Sequence, residues 1–149
     1  NVGTCLKQEK KKSVISPWIE DIFLKKKKIK YTKYQNFEIH RLTLKKIGFK
    51  KAAKLKEVYK IFKKLNFELV PPEIAIYLRL VYIKQPKGEW LRISVPFNSM
   101  IDSDGVPHLP KLGKALGRFF LETYWSYPDA IFHPHNEFLV IKFNDDKKN

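Results

Sequence analysis

The pattern of apolar and polar positions predicts two different kinds of structure on either side of Pro71–Pro72. Before it, Ser16–Pro17–Trp18 predicts the start of a helix, because Ser favours the N-cap and Pro the first helical position. Apolar residues at helical spacing between Leu55 and Leu65 predict an amphipathic helix in the segment that begins near Lys45. Residues 31–44 indicate a short strand or an irregular crossing.

Beyond Pro71–Pro72 the period changes to two, which predicts strands at 73–83 and 90–96. The turn-forming residues Lys84–Glu89 would join them into a hairpin. Helical spacing returns from Leu112, which predicts a second helix that ends before Pro128. A short apolar run at 137–143 predicts a last strand.

The sequence therefore predicts an α+β fold in which a small antiparallel sheet packs against helices. Residues 1–70 form its basic, mostly helical half, and residues 71–149 form a β-hairpin–helix–strand segment. A chain of 149 residues is long enough for one core, so we expect one compact domain or two docked lobes.

The charge is distributed unevenly between these halves. Residues 1–70 contain 20 Lys or Arg against six Asp or Glu, whereas residues 71–149 contain ten against nine. A concentrated positive charge indicates a polyanionic partner, and lysine suits phosphate contacts without sequence discrimination. The lysines expected to contact a nucleic-acid backbone are Lys25, Lys26, Lys27, Lys28, Lys30, Lys33, Lys50, Lys54, Lys60 and Lys64.

A second candidate surface follows from the predicted hairpin. Its alternation places Tyr77, Arg79, Trp90 and Arg92 on one face. Aromatic rings and guanidinium planes stack on single-stranded bases, so Arg79, Trp90 and Arg92 are added to the predicted nucleic-acid contacts. The alternative is that a helix covers this face.

Catalytic chemistry is weakly indicated. Pro128–Asp129 and a strand ending in Lys142 resemble the pattern of a broad nuclease superfamily in which two acids hold Mg²⁺ beside a lysine. Val140 stands where the second acid would be, and Glu137 lies three residues earlier. Asp129, Glu137 and Lys142 are therefore the weak catalytic candidates, and we expect neither a metal site nor a cofactor.

The remaining composition indicates the cellular compartment in which we expect the protein. Cys5 is the only cysteine, which excludes an intramolecular disulfide and indicates a cytoplasmic or other reducing compartment. No apolar run approaches the roughly 20 residues of a membrane span. The polar first 12 residues do not resemble a signal peptide.

The sequence predicts a non-catalytic nucleic-acid-binding protein, of DNA or RNA, within a larger nucleoprotein complex that includes protein partners. One alternative is a metal-dependent nuclease or another DNA- or RNA-processing enzyme of a mobile element or defence system. A second alternative is a protein-interaction module whose lysines meet an acidic partner.

Overall fold

A mixed six-stranded sheet organises the protein in a computed structural model that describes residues 2–10, 12–25 and 36–144. The strand order is β1-β6-β5-β4-β8-β2, and β3 and β7 form a separate antiparallel pair. The elements of the described residues are α1 (Val2–Lys10), β1 (Ser13–Ile15), α2 (Pro17–Lys25), β2 (Phe37–Thr43), β3 (Ala53–Lys54), α3 (Leu55–Lys64), α4 (Pro72–Val81), β4 (Trp90–Ile93), β5 (His108–Ala115), β6 (Arg118–Trp125), β7 (Ile131–Phe132) and β8 (Glu137–Phe143).

The predicted helical N-terminal half is wrong, because residues from both halves build this sheet. Its two parallel pairs are β1 with β6 and β4 with β8, and its other neighbours are antiparallel. The first half contributes β1 and β2, and the second contributes the four strands between them. The buried apolar residues form a core cluster that also draws on both halves.

Helices cover the two faces of the sheet unequally. On one face, α4 contacts β5, α2 contacts β6, and α1 contacts both of these helices. Phe138 of β8 pairs with Arg92 of β4, which pairs with Lys111 of β5, so these three residues share the other face. There Phe62 of α3 packs against Phe138, with ring centres 6.0 Å apart. The second face is thus covered by α3 and the β3–β7 pair, which adds Phe132 to the same aromatic cluster.

The predicted strand at 73–83 is the helix α4. Pro72 lies in its first turn, where proline's missing N–H costs nothing, so Pro71–Pro72 begins a helix as well as ending the preceding segment. The segment is apolar on nearly every side, and such a run does not distinguish a buried helix from a strand. Its interior positions include Ala75, Ile76 and Arg79.

The predicted helix from Leu112 is the hairpin of β5 and β6. Leu116 and Gly117 connect the strands, with φ of 52° and 71°. Two consecutive positive φ values characterise a type I′ turn, the two-residue connection that matches strand twist. Leu116 is 86% exposed, so its fit to the helical spacing that begins at Leu112 does not mark a buried face.

The predicted small antiparallel sheet is also wrong, because the sheet has six strands and two parallel pairs. Several single elements of the prediction are confirmed. A helix begins at Pro17, strands occupy 37–43, 90–93 and 137–143, and α3 carries the predicted apolar stripe. That helix is shorter than expected, since it begins at Leu55 rather than near Lys45. None of the helices in the described ranges combines the length and apolar character that a membrane crossing needs.

Candidate functional site

A cleft beside α3 combines lysines with aromatic rings. Its volume is about 630 Å³. Lys56, Lys60 and Lys63 recur at i, i+4 and i+7, so they form one stripe along the helix. We call this surface the α3 cleft, and its lining residues are Lys56, Tyr59, Lys60, Phe62, Lys63, Asn66, Phe67, Glu68, Leu69 and Phe97.

The buried face of α3 fixes the direction of its lysines. Leu55, Val58, Tyr59 and Phe62 are buried against the core. The Tyr59 hydroxyl donates a 2.6 Å hydrogen bond to the Val95 carbonyl, and burial raises the pKa of Tyr59 above its ordinary value. With these side chains turned inward, the lysines are exposed, and Glu57 is the one acid on the helix.

The chain returns to the cleft directly after α3. Asn66 has a φ of 65° and its N–H donates to the Lys63 carbonyl, while Phe67 N–H donates to Phe62 at 2.9 Å. This pattern closes a helix C-terminus, and asparagine tolerates the left-handed conformation better than most residues. The turn places Phe67 in the cleft wall.

Phe67 also joins the cleft to the edge of the sheet. The Lys142 nitrogen lies 4.6 Å from the centre of its ring, and the His40 ring lies 5.2 Å away. Lys142, a weak catalytic candidate in the sequence, therefore adds a further cation at the cleft margin. Glu68 is the one acid among the lining residues.

The predicted lysine contacts divide into three groups. Lys26, Lys27, Lys28, Lys30 and Lys33 lie outside the described residues, and Lys25 ends α2. Lys54 lies 3.7 Å from Asp129, which also pairs with Lys56 at 3.1 Å. Lys50, Lys60 and Lys64 are exposed, and within the described ranges none has a carboxylate within 4.0 Å.

The predicted stacking surface is only partly assembled. Trp90 and Arg92 lie on one face of β4, but Tyr77 and Arg79 belong to α4. Arg79 is 1% exposed, and its guanidinium donates to Gln85 and to the carbonyls of Tyr82, Gly113 and Phe120. Its place in the interior makes it a tie between α4 and the β5–β6 hairpin.

The acids that could serve catalysis are engaged with cations. Both Glu137 oxygens accept hydrogen bonds from Arg41, at 2.7 and 3.0 Å, and Arg41 also pairs with Glu89 at 3.0 Å. The hydrogen bonds that Arg41 donates to Glu137 raise the pKa of Arg41, and the hydrogen bond from Lys56 lowers the pKa of Asp129. Within the described residues, no three His, Cys, Asp or Glu side chains gather as metal ligands.

Comparison with known proteins gives no family. No protein-family model, curated protein or solved structure matches this chain.

A buried polar network that the sequence did not indicate lies on the opposite face of the sheet. His108 is 1% exposed, and its ring nitrogens contact Asp102 at 2.8 Å and the Thr123 hydroxyl at 3.1 Å. The hydrogen bond to His108 lowers the pKa of Asp102, whose other oxygen accepts the Asp104 and Val106 N–H groups. These contacts tie the 102–106 turn to β5 and β6, beneath the Trp18 ring.

Proposed function

We propose that this protein binds nucleic acid without catalysis, holding the phosphate backbone in the α3 cleft. The observation that carries the proposal is the stripe of Lys56, Lys60 and Lys63 along a cleft whose other wall is aromatic. Lysines that neutralise phosphates release condensed counter-ions, which supplies affinity that does not depend on sequence. All of the lining residues except Phe97 belong to the half of the chain that carries nearly all the net positive charge.

The aromatic wall supports nucleic acid over other polyanions. Tyr59 and Phe97 pack with ring centres 4.8 Å apart, and Phe67 is only partly buried. Phe97 is also only partly buried, and accessible aromatic rings beside a cationic groove are the combination with which proteins hold nucleic-acid strands. A purely electrostatic surface for an acidic protein would have no need of them.

A nuclease receives less support from the same geometry. Asp129 is paired with two lysines and Glu137 with Arg41. A divalent cation would have to displace these cations from both carboxylates before it could bind. We therefore propose binding alone for this surface.

The proposal is tested by a salt titration of binding with labelled single- and double-stranded DNA and RNA. We expect the logarithm of affinity to fall linearly with the logarithm of salt concentration. In the variant Lys60→Gln/Lys63→Gln, the slope of this line should become less steep by roughly 0.7–0.9 per lysine removed. Fluorescence anisotropy on the full chain measures both quantities.

The matched control is Lys84→Gln/Lys87→Gln, which removes the same charge from exposed lysines outside the cleft. It should leave the slope nearly unchanged. Equal loss in both variants would contradict a localised site. Absence of binding to all four nucleic acids at low salt would overturn the proposal and leave the lysines to an acidic protein partner.

A further inference from the structure

A second group of charged and aromatic side chains lies on the sheet, apart from the α3 cleft. Arg92 on β4 is directly opposite Lys111 on β5, and Lys111 is opposite Glu122 on β6. All three share the face of the sheet on which α3 packs, and none of them lines the cleft. Trp90 and Tyr124 lie on the same face.

Arg92 and Lys111 are like charges at opposed positions, an arrangement that destabilises a sheet. Both side chains are partly buried, and within the described residues neither has a hydrogen bond or a carboxylate within 4.0 Å. The Arg92 Nε atom is buried with no hydrogen-bond partner. Burial lowers the pKa of both groups, and the charge of Arg92 lowers that of Lys111 further.

Aromatic rings surround the ammonium group of Lys111. Its nitrogen lies 5.0 Å from the ring centre of Trp90 and 5.9 Å from that of Tyr124. Trp90 lies flat over Gly113, where an added Cβ would be 2.4 Å from the indole. Glycine at this position therefore allows the indole to rest directly on the sheet beside the two cations.

We propose that Arg92 and Lys111 bind the phosphate of a nucleotide whose base stacks on Trp90. An anion placed between the two cations would offset their repulsion and accept hydrogen bonds from the guanidinium. A guanidinium fork and an ammonium point charge together suit phosphate. Because Glu122 lies on the far side of Lys111, the phosphate belongs on the Arg92 side.

This site goes beyond the proposed function, since it takes one nucleotide and does not use the α3 lysines. The same chemistry serves a free mononucleotide or one unit of a single strand. A base within a duplex is already stacked and paired, so duplex nucleic acid would not occupy the site.

The test is quenching of tryptophan fluorescence on titration with AMP, adenosine, inorganic phosphate and a single-stranded oligoadenylate. We expect AMP to quench saturably, adenosine and phosphate to bind at least about tenfold more weakly, and Trp90→Phe to abolish the signal. Lys111→Gln and Arg92→Gln should each weaken AMP binding about tenfold or more. Oligoadenylate binding tighter than AMP identifies a strand as the source, and equal binding identifies the free nucleotide.

Lys114→Gln is the matched control, because Lys114 lies on the same strand and points to the opposite face. Equal effects of Lys111→Gln and Lys114→Gln, or equal affinity for AMP and adenosine, would overturn the inference. Circular dichroism checks that the variants fold. The variant Arg92→Lys keeps the charge and should therefore retain part of the affinity for AMP. AMP binding without binding of any polymer would sink the proposed function and leave this site standing.

Discussion

Replacing Arg79 with leucine is expected to lower the free energy of unfolding by about 3–5 kcal/mol. The guanidinium is 1% exposed, and its shortest hydrogen bonds are 2.7 Å to Gln85 and 2.8 Å to the Tyr82 carbonyl. Leucine would leave Gln85 and the Tyr82 carbonyl in the interior without these donors, and the Gly113 and Phe120 carbonyls would keep only their hydrogen bonds within the β5–β6 hairpin. Each unsatisfied acceptor costs about 1–3 kcal/mol before the structure relaxes. Urea denaturation measures the difference.

The choice of substitution decides what this experiment tests. Replacing both partners of a buried ion pair with apolar residues often leaves the free energy of unfolding unchanged. Here three of the four acceptors are backbone carbonyls, which no side-chain substitution removes. Arg118→Leu is the matched control, since Arg118 is exposed on β6, and should stay within about 0.5 kcal/mol of the parent. A variant at Arg79 as stable as the control would contradict the role of Arg79 as a tie between α4 and the hairpin.

Truncating Phe62 to alanine should cost about 3–5 kcal/mol of unfolding free energy. The side chain is fully buried, and its ring centre lies 6.0 Å from that of Phe138 and 5.9 Å from that of Tyr59. Its loss opens a cavity between α3 and the sheet and removes the aromatic contacts that hold the helix in place. Urea denaturation again gives the value.

Two variants control this experiment on α3. Phe62→Leu keeps most of the apolar volume and should cost less than the alanine change. Leu65→Ala alters a side chain that is 42% exposed at the end of the helix and should cost about 0.5 kcal/mol or less. If Phe62→Ala costs no more than Leu65→Ala, α3 does not pack on the sheet as described.

The sequence predicted correctly those parts of the fold that depend on the local spacing of apolar residues. In α3 the apolar residues recur at 3.6-residue spacing and the lysines occupy the opposite side, so its buried face was predictable from Leu55 to Phe62. Leu65 continued the pattern in the sequence, yet it lies exposed at the C-cap. The end of the helix depends on the left-handed Asn66, which the period alone does not reveal.

The second half could not be predicted in the same way, because its apolar residues fit two periods. Spacing from Leu112 to Phe120 fits a helix, but the Leu116–Gly117 turn makes it a hairpin. Gly117 was the available signal for that turn. Glycine is needed at position 113 for a different reason, because the indole of Trp90 on β4 lies against it. The local spacing of residues does not reveal such a contact between strands.

The candidate surfaces were predictable in composition but not in arrangement. The excess of lysine identified Lys60 and Lys64, of which Lys60 lines the cleft. The aromatic wall depends on the turn that places Phe67 after α3 and on Phe97, which comes from a separate segment. Trp90 and Arg92 were placed together by alternation along one strand. Lys111 was missed because the sequence predicted a helix in this segment, and only strand pairing places Lys111 beside Arg92.

The most direct test of nucleic-acid binding in the α3 cleft is an amide chemical-shift titration of the ¹⁵N-labelled chain at low salt. A short single strand and a duplex would be added separately. We predict that both shift the amides of Lys56–Leu69 and Phe97, and that only the single strand also shifts those of β4 and β5. Unchanged amides along α3 with both ligands would contradict the account.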